Sequence, residues 1–222
     1  MYPPARQLIK HLVADGRFDY IETGSLITLK KNVENIVIPS EEERLVMHPL
    51  DFEEFLWATG DSVAMPYIRS CFNKRTSLGQ AIHRKMMTKF RTYMIVGGMP
   101  QAVLSYLATK DFGEVDQEKR QILSLYRSDI TKFASGYESR VNAIFDGIPI
   151  QLSRHEKKYR IALLDKNLRF RDYEDAFMWL SDACIISPCY SAADPNVAFI
   201  LSQDRNTLKC YMPDIGLLVT WR

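Results

Sequence analysis

Apolar residues recur every three or four positions along much of the chain, which is the period of amphipathic helices. Seven of them form one stripe: Leu78, Ala81, Ile82, Met86, Phe90, Tyr93 and Met94. This stripe predicts a helix whose opposite side carries basic side chains. Further helices are predicted over Pro4 to Ala14, Phe52 to Trp57, from Pro100 onward and from about Val115 to Phe133.

Residues with strong local preferences mark where these helices begin and end. Gly16 is a stop signal after the first helix, and Asp51 is a suitable N-cap for the second. Gly97-Gly98 predicts a tight corner, after which Pro100 suits the first turn of the next helix. The middle of the chain is therefore predicted to be a series of helices joined by short corners.

Two short segments near the N-terminus change to the pattern of strands. The first is Phe18 to Thr23, and the second is Asn35 to Ile38 or Arg44 to Met47. A strand in a buried parallel sheet needs neighbours on both sides, so these strands are incomplete by themselves. We expect an uncovered apolar face, with these candidates: Ile21, Leu26, Ile27, Leu29, Ile36, Val37 and Ile38.

The C-terminal third predicts three short helices followed by two extended segments. The helices are Val141 to Phe145, Lys157 to Leu164 and Tyr173 to Ala183, and the extended segments are Cys184 to Ala192 and Thr207 to Tyr211. Three helices followed by a hairpin is the order of a winged-helix domain. The predicted fold class is therefore α+β and mostly helical.

The composition is that of a globular protein, with 222 residues of which 46% are hydrophobic and 25% charged. No uncharged apolar run approaches the roughly 20 residues that cross a bilayer, and the N-terminus lacks the layout of a signal peptide. We therefore expect a cytoplasmic protein without a membrane partner. The four cysteines and four histidines show no metal-ligand spacing, so no metal site is predicted.

The positive charge is concentrated in two segments, although the net charge is only +2. Residues 62–110 contain no acidic residue and eight basic ones: Arg69, Lys74, Arg75, Arg84, Lys85, Lys89, Arg91 and Lys110. Residues 154–171 contain seven basic residues against Glu156 and Asp165. These segments are either solvated and paired within the molecule, or available to a polyanion.

Several short strings, in order along nearly the whole chain, resemble prokaryotic AAA-type P-loop ATPases with a C-terminal winged-helix-like domain of unknown function. They lie at residues 5–26 (ARQLIKHLVADGRFDYIETGSL), 48–56 (HPLDFEEFL), 97–100 (GGMP), 126–130 (YRSDI), 148–153 (IPIQLS), 157–159 (KKY) and 214–218 (DIGLL). The resemblance implies a remnant of the α/β ATPase core over 1–58, a helical lid and connector over 59–135, and a winged-helix-like domain over 136–222.

The groups that hold nucleotide in that family have no match in this sequence. No Gly-x-x-x-x-Gly-Lys-Ser/Thr string occurs, and no apolar strand ending in an acidic pair precedes the first helix. The expectation is a fragment, truncated before the phosphate loop and again before a restriction-endonuclease-like domain. Full-length relatives would bind ATP and magnesium, whereas this chain is expected to hold no cofactor and to be inactive alone.

By the same resemblance, Thr23 and Ser25 lie where the family places the polar residue that senses the γ-phosphate. A hydroxyl there could orient the attacking water through a hydrogen bond. The alternative is that both residues simply form the turn that ends a strand. No catalytic residue is assigned.

The winged-helix segment supplies the candidates for nucleic-acid contact. They are Arg154, Lys157, Lys158, Arg160, Arg169 and Arg171. Asp172, Glu174 and Asp175 would repel a polyanion from the start of the reading helix, so we expect any DNA binding to be weak and non-specific. A third function is an interaction module whose N-terminal sheet is completed by a partner chain or another copy.

Overall fold

The computed structural model describes residues 9–21, 23, 43, 45–134, 136–164, 169–192, 194 and 202–221. Over these residues the fold is mostly helical with a small antiparallel sheet, which confirms the predicted α+β class. The helices are α1 (Ile9–Asp15), α2 (Phe52–Ala58), α3 (Ala64–Asn73), α4 (Gln80–Val96), α5 (Pro100–Thr109), α6 (Phe112–Phe133), α7 (Glu138–Ser153), α8 (Glu174–Asp182) and α9 (Ile215–Thr220). The strands are β1 (Ser187–Ala192) and β2 (Gln203–Tyr211).

Three helix boundaries follow the predicted local signals. Helix α2 begins with a capping box, in which Asp51 Oδ1 accepts from the Glu54 N–H at 2.8 Å and Glu54 Oε2 accepts from the Asp51 N–H at 2.9 Å. This box satisfies N–H groups that the first helical turn leaves unpaired. Gly16 follows the end of α1 with a φ of 69°, and Pro100 opens α5. These boundaries are therefore fixed by neighbours in sequence.

The predicted N-terminal strands are wrong where the structure describes them. Residues 18–21 and 45–47 form no strand, and Ile21 and Met47 are 90% and 92% exposed. Without neighbouring strands, such segments gain neither ladder hydrogen bonds nor a buried face. The alternative strand at 35–38 and the apolar candidates between Leu26 and Ile38 lie outside the described residues.

The predicted helix over Lys157 to Leu164 is also wrong, because only a 3₁₀ turn forms there, at Ile161–Leu163. The preceding backbone is paired elsewhere. The Tyr159 N–H donates to Leu208 O on β2 at 2.8 Å, and the Gln151 side chain binds both the N–H and the C=O of Arg160. These bonds hold the chain extended against α7 and the hairpin.

The other elements predicted for the C-terminal third occur in the predicted order. Helices α7 and α8 precede the antiparallel hairpin β1–β2, in which Ser187 pairs with Tyr211. One large core joins α7, α8, the hairpin, α9 and the C-terminal part of α6.

A second, smaller core lies between α2, α4, α5 and α6. It consists of Phe55, Val96, Ala102, Val103 and Val115. Helix α6 contributes to both cores, with Val115 in the small one and Ile122 and Ile130 in the large one. Met99, at the corner before α5, also packs against both. The two cores therefore meet along α6 and at this corner.

Candidate functional site

Three of the strings that carry the family resemblance meet at the corner between α4 and α5. The Leu50 N–H donates to Gly98 O at 2.8 Å, and the Gly98 N–H donates to Asp214 Oδ2 at 2.5 Å. The other carboxylate oxygen, Asp214 Oδ1, accepts from the Leu217 N–H at 2.8 Å and so caps α9. We call these residues, with Lys119 and Gly216, the Asp214 junction.

Glycine is required in this junction by close backbone approach. A Cβ on Gly216 would lie 2.6 Å from the Gly97 Cα, and one on Gly98 would overlap the backbone of Leu50. Gly97 also has a φ of 82°, which L side chains rarely adopt. The Gly-Gly corner was predicted from the sequence. The structure adds that, because its glycines lack side chains, α9 and the segment before α2 can pack closely against it.

Lys119 is the cation of the junction, and it is 2% exposed. Its Nζ donates to Ile95 O at 2.7 Å and to Gly216 O at 3.3 Å, thereby joining α4, α6 and α9. Sequence reasoning did not identify this lysine. Its position offered a signal, because Lys119 lies four residues after Val115 and three before Ile122, on the buried face of α6.

Burial sets the electrostatics of the junction. Burial raises the pKa of the Asp214 carboxyl, although the N–H donors of Gly98 and Leu217 and the charge of Lys119 act in the opposite direction. Burial likewise lowers the pKa of Lys119, against the attraction of Asp116 and Asp214. Each charge therefore favours the charged form of the other. Loss of either would leave the remaining charge buried without an opposite charge nearby.

Polar contacts extend the junction along α6. Thr220 at the end of α9 donates its hydroxyl to Asp116 Oδ1 at 2.7 Å, and Asp116 also pairs with Arg120 at 2.8 Å. Partial burial raises the pKa of Asp116, but the bonds from Thr220 and Arg120 outweigh it and the net shift is downward. Helix α9 is thus attached to α6 at both of its ends.

The Tyr126-Arg127 pair of the YRSDI string lies beside the same region. Burial, with the negative charges of Asp214 and Asp129, raises the pKa of Tyr126 to about 12. The Arg127 guanidinium lies 5.0 Å from the centre of the Trp221 ring and donates to Asp146 at 2.9 Å. A neutral, partly buried Tyr126 and an Arg127 held over the Trp221 ring favour a structural role for this string.

The junction can position helices, but its polar groups are already occupied. Among the described residues, no buried side-chain nitrogen or oxygen lacks a hydrogen-bond partner. The four buried polar or charged side chains there are Lys119, Gln151, Asp214 and Thr220. Each binds backbone or a neighbouring side chain, so none is held ready for proton transfer or nucleophilic attack.

The two residues predicted to sense nucleotide are not assembled into a site by the described structure. Thr23 is exposed, and Ser25 lies outside the described residues. Within the described parts of the chain, no group of three or more His, Cys, Asp or Glu side chains is placed to hold a metal ion. No helix among those residues combines the length and apolarity needed to cross a membrane.

The candidate nucleic-acid residues are partly engaged within the molecule. Arg160 pairs with Glu156, Lys157 donates to Leu152 O, and Lys158 donates to Thr207 Oγ1 at 3.1 Å. Arg171 lies 3.8 Å from the Asp172 carboxylate, but it and Arg169 remain exposed beside that acid.

Arg154, at the end of α7, is exposed and forms no ion pair with a described residue. Lys158 therefore lies against the hairpin, whereas Lys157, Arg160 and Arg171 are engaged by residues close to them in sequence.

The predicted apolar stripe on α4 is only partly buried. Met86 is buried, whereas Ile82, Phe90 and Met94 are 38–39% exposed. Near the C-terminal end of α4, Tyr93 packs against the small core and Val96 belongs to it, and the Phe90 ring lies against Phe52 of α2. The stripe is therefore covered only in part. An outer face remains, formed by Arg84, Phe90, Arg91, Met94 and Ile95, which we call the α4 outer face.

Comparison with known proteins places residues 87–221 in one family. No curated protein and no solved structure matches the chain. One family model does match, over residues 87–221, and this span runs from the middle of α4 through α9 and includes nearly all of the Asp214 junction. The chain therefore belongs to the family described as Domain of unknown function (DUF8612).

Proposed function

We propose that this chain is a non-catalytic interaction module related to prokaryotic AAA-type ATPases, in which lid-like helices and a winged-helix-like domain act as one body. The observation that carries the proposal is the meeting of Leu50, Gly98 and Asp214 in one chain of hydrogen bonds. These residues come from three separate strings that resemble the same ATPase family. Their contact supports treating those strings as parts of one inherited unit.

A binding role is favoured over a catalytic one by how polar and apolar groups are distributed. The buried polar side chains of the described residues are used to hold the backbone together. The exposed large apolar side chains are mostly found before residue 105, including Trp57, Val63, Phe72 and Leu104. Exposed apolar surface of this kind marks interaction sites more often than active sites.

Phosphoryl transfer depends on groups that position and neutralise the phosphates. Since the sequence contains no phosphate loop, the purified chain with magnesium and ATP should release no phosphate above a mock-purified control. Turnover that is lost on changing Thr23 and Ser25 to Ala would contradict the proposal. The matched control changes Ser62 and Thr76 to Ala, since both are exposed and follow α2 and α3 in the sequence.

Association can be measured without identifying the partner in advance. Hydroxyl-radical labelling of the chain in a lysate of its source cells should protect Trp57 and Phe72 relative to the purified chain. Met178 on α8 and Leu125 on α6 are also exposed and serve as the reference positions. Equal labelling of all four residues in both samples would refute an interaction role for the N-terminal helices.

A further inference from the structure

The α4 outer face combines unneutralised cations with shallow apolar surface. Arg84, Arg91 and their neighbour Lys85 form no ion pair with any described residue, and residues 62–110 contain no acid. The two cations in this segment that do pair, Arg69 and Lys89, use Glu53 and Asp61 from earlier in the chain. Within the described part of the chain, helix α4 thus presents positive charge that no ion pair balances.

The spacing of side chains on the α4 outer face suits the docking of a second helix. Arg84 and Arg91 are seven residues apart, which is two turns, or about 10 Å along the axis on the same side. Phe90 and Met94, four residues apart, lie on one flank of the arginines, and Ile95 lies four residues after Arg91 on their own side of the helix. We propose that the α4 outer face docks an amphipathic helix of a partner protein, with carboxylates seven residues apart for the two arginines and apolar side chains between them.

The shape of the face favours a protein helix over a membrane. Insertion into lipid requires apolar side chains that project about 5–10 Å into the bilayer. Phe90, Met94 and Ile95 are only 38–39% exposed, so they form a low surface that another helix can cover.

Nucleic acid fits the face less well. The Phe90 ring already makes an edge contact with Phe52, with ring centres 5.2 Å apart, and it also lies against Tyr93. Met94 and Ile95 have no flat ring on which a base could stack. Their apolar surface would remain wet against a phosphate backbone, whereas a helix would cover it.

The inference rests on the proposed interaction role and names the partner's chemistry. The probe is a 21-residue fluorescent peptide with leucine at two positions of every seven and glutamate seven residues apart at their flanks. Fluorescence anisotropy should detect saturable binding that weakens between about 50 and 200 mM salt. A second peptide, with glutamine in place of each glutamate, should bind at least about tenfold more weakly.

Paired variants locate the binding surface. Arg84→Glu with Arg91→Glu should weaken binding of the glutamate peptide by about tenfold or more. Lys74→Glu with Arg75→Glu makes the same change of charge just after α3 and should leave binding within about threefold. Met94→Ser with Ile95→Ser should also weaken it, and circular dichroism verifies that each variant is folded.

Two results would overturn the inference. One is failure of the glutamate peptide to bind the folded chain. The other is tighter binding to phosphatidylserine vesicles or to a DNA duplex that is lost in the Arg84/Arg91 variant, which would assign the face to lipid or nucleic acid. Either result leaves the proposed function in place if ATP turnover is absent and Trp57 and Phe72 are protected. Turnover that depends on Thr23 and Ser25 removes the proposed function instead.

Discussion

The Asp214 carboxylate accepts a hydrogen bond from the Gly98 N–H, which lies 116 residues earlier in the chain. The bond joins the corner between α4 and α5 to the cap of α9. Because Gly98 O also accepts from the Leu50 N–H, one glycine connects the segment before α2, the corner between α4 and α5, and helix α9. Stability of the whole molecule should therefore be sensitive to this small region.

Replacing Lys119 with methionine tests the buried charges. The carbonyls of Ile95 and Gly216 lose their donor, and Asp214 remains buried without its nearby cation. We expect a loss of about 1–3 kcal/mol in the free energy of unfolding, measured by urea denaturation, because the buried carbonyls are left without a donor. Lys85→Met, at an exposed position on α4, should change it by less than about 0.5 kcal/mol. Equal effects of the two substitutions would contradict a special role for Lys119.

The raised pKa of Asp214 predicts a pH dependence of definite sign. Since its folded pKa lies above the ordinary 3.8, the folded state binds more protons between the two values. Its contribution to stability is complete below the unfolded pKa and is lost as the pH rises through the folded pKa. Asp61 and Asp116, whose pKa values are lowered, act in the opposite direction and lose their contribution as the pH falls.

Asp214→Asn isolates the contribution of Asp214, because Asp61 and Asp116 still titrate in the variant. The wild-type free energy of unfolding minus that of the variant should increase as the pH falls from about 7 to about 4. Urea denaturation at several pH values measures this difference. A difference that stays constant over the range would show that Asp214 titrates normally.

Gly216→Ala tests the close approach of α9 to the corner. Its Cβ would lie 2.6 Å from the Gly97 Cα and from the Val96 carbonyl oxygen, so the backbone itself would have to move. Overpacking of this kind costs about 1–3 kcal/mol, which thermal unfolding would detect. Gly113→Ala is the matched control, since its Cβ meets only the Asp111 side chain, at 3.1 Å. A neutral Gly216→Ala would mean that α9 is not held against Gly97.

Hydrogen exchange should distinguish the irregular segment before α2 from Leu50, whose amide is bonded to the corner between α4 and α5. Amides of Phe18, Tyr20 and Met47 lie in exposed, irregular backbone and should exchange fast. The Leu50 amide is bonded to Gly98 O, so it should exchange at a rate closer to those of α4 and α5. Uniformly slow exchange from Leu12 through Leu50 in a monomeric sample would contradict the absence of a strand at 18–21.

Any binding to DNA should be weak, independent of sequence and steeply dependent on salt between about 50 and 200 mM. Reversing the charges of Lys157, Lys158 and Arg160 should lower affinity equally for unrelated duplexes, as measured by anisotropy. The same reversal at Lys74, Arg75 and Lys85 is the control for net charge. Tight binding to one duplex at physiological salt, with a mismatched duplex ignored, would refute this prediction.

Local signals in the sequence were sufficient wherever adjacent residues satisfy the backbone. Asp51 and Glu54 form their capping box within one helical turn, so the start of α2 could be predicted without knowledge of the rest of the chain. The same holds for Pro100 and for the hairpin, whose two strands follow one another.

The secondary-structure prediction failed where the backbone is bonded to residues that are distant in sequence. Lys157 to Leu164 has an ordinary helical pattern, but Leu208 and Gln151 bind the backbone of Tyr159 and Arg160 and keep it extended. The spacing of apolar residues correctly predicted that α4 is a helix. Spacing alone does not indicate whether another element covers the apolar stripe.

The sequence alone determined the class of the fold, most of its helices, the hairpin and the glycine corner, because these depend largely on contacts over a few residues. It did not indicate α3 or α9. Only the tertiary structure placed Lys119 in the interior and joined Gly98 to Asp214. A lysine or an aspartate is normally solvated, and its burial becomes favourable only when donors, acceptors and an opposite charge from remote segments converge on it. That convergence is a property of three-dimensional packing, which the spacing of residues along one helix does not encode.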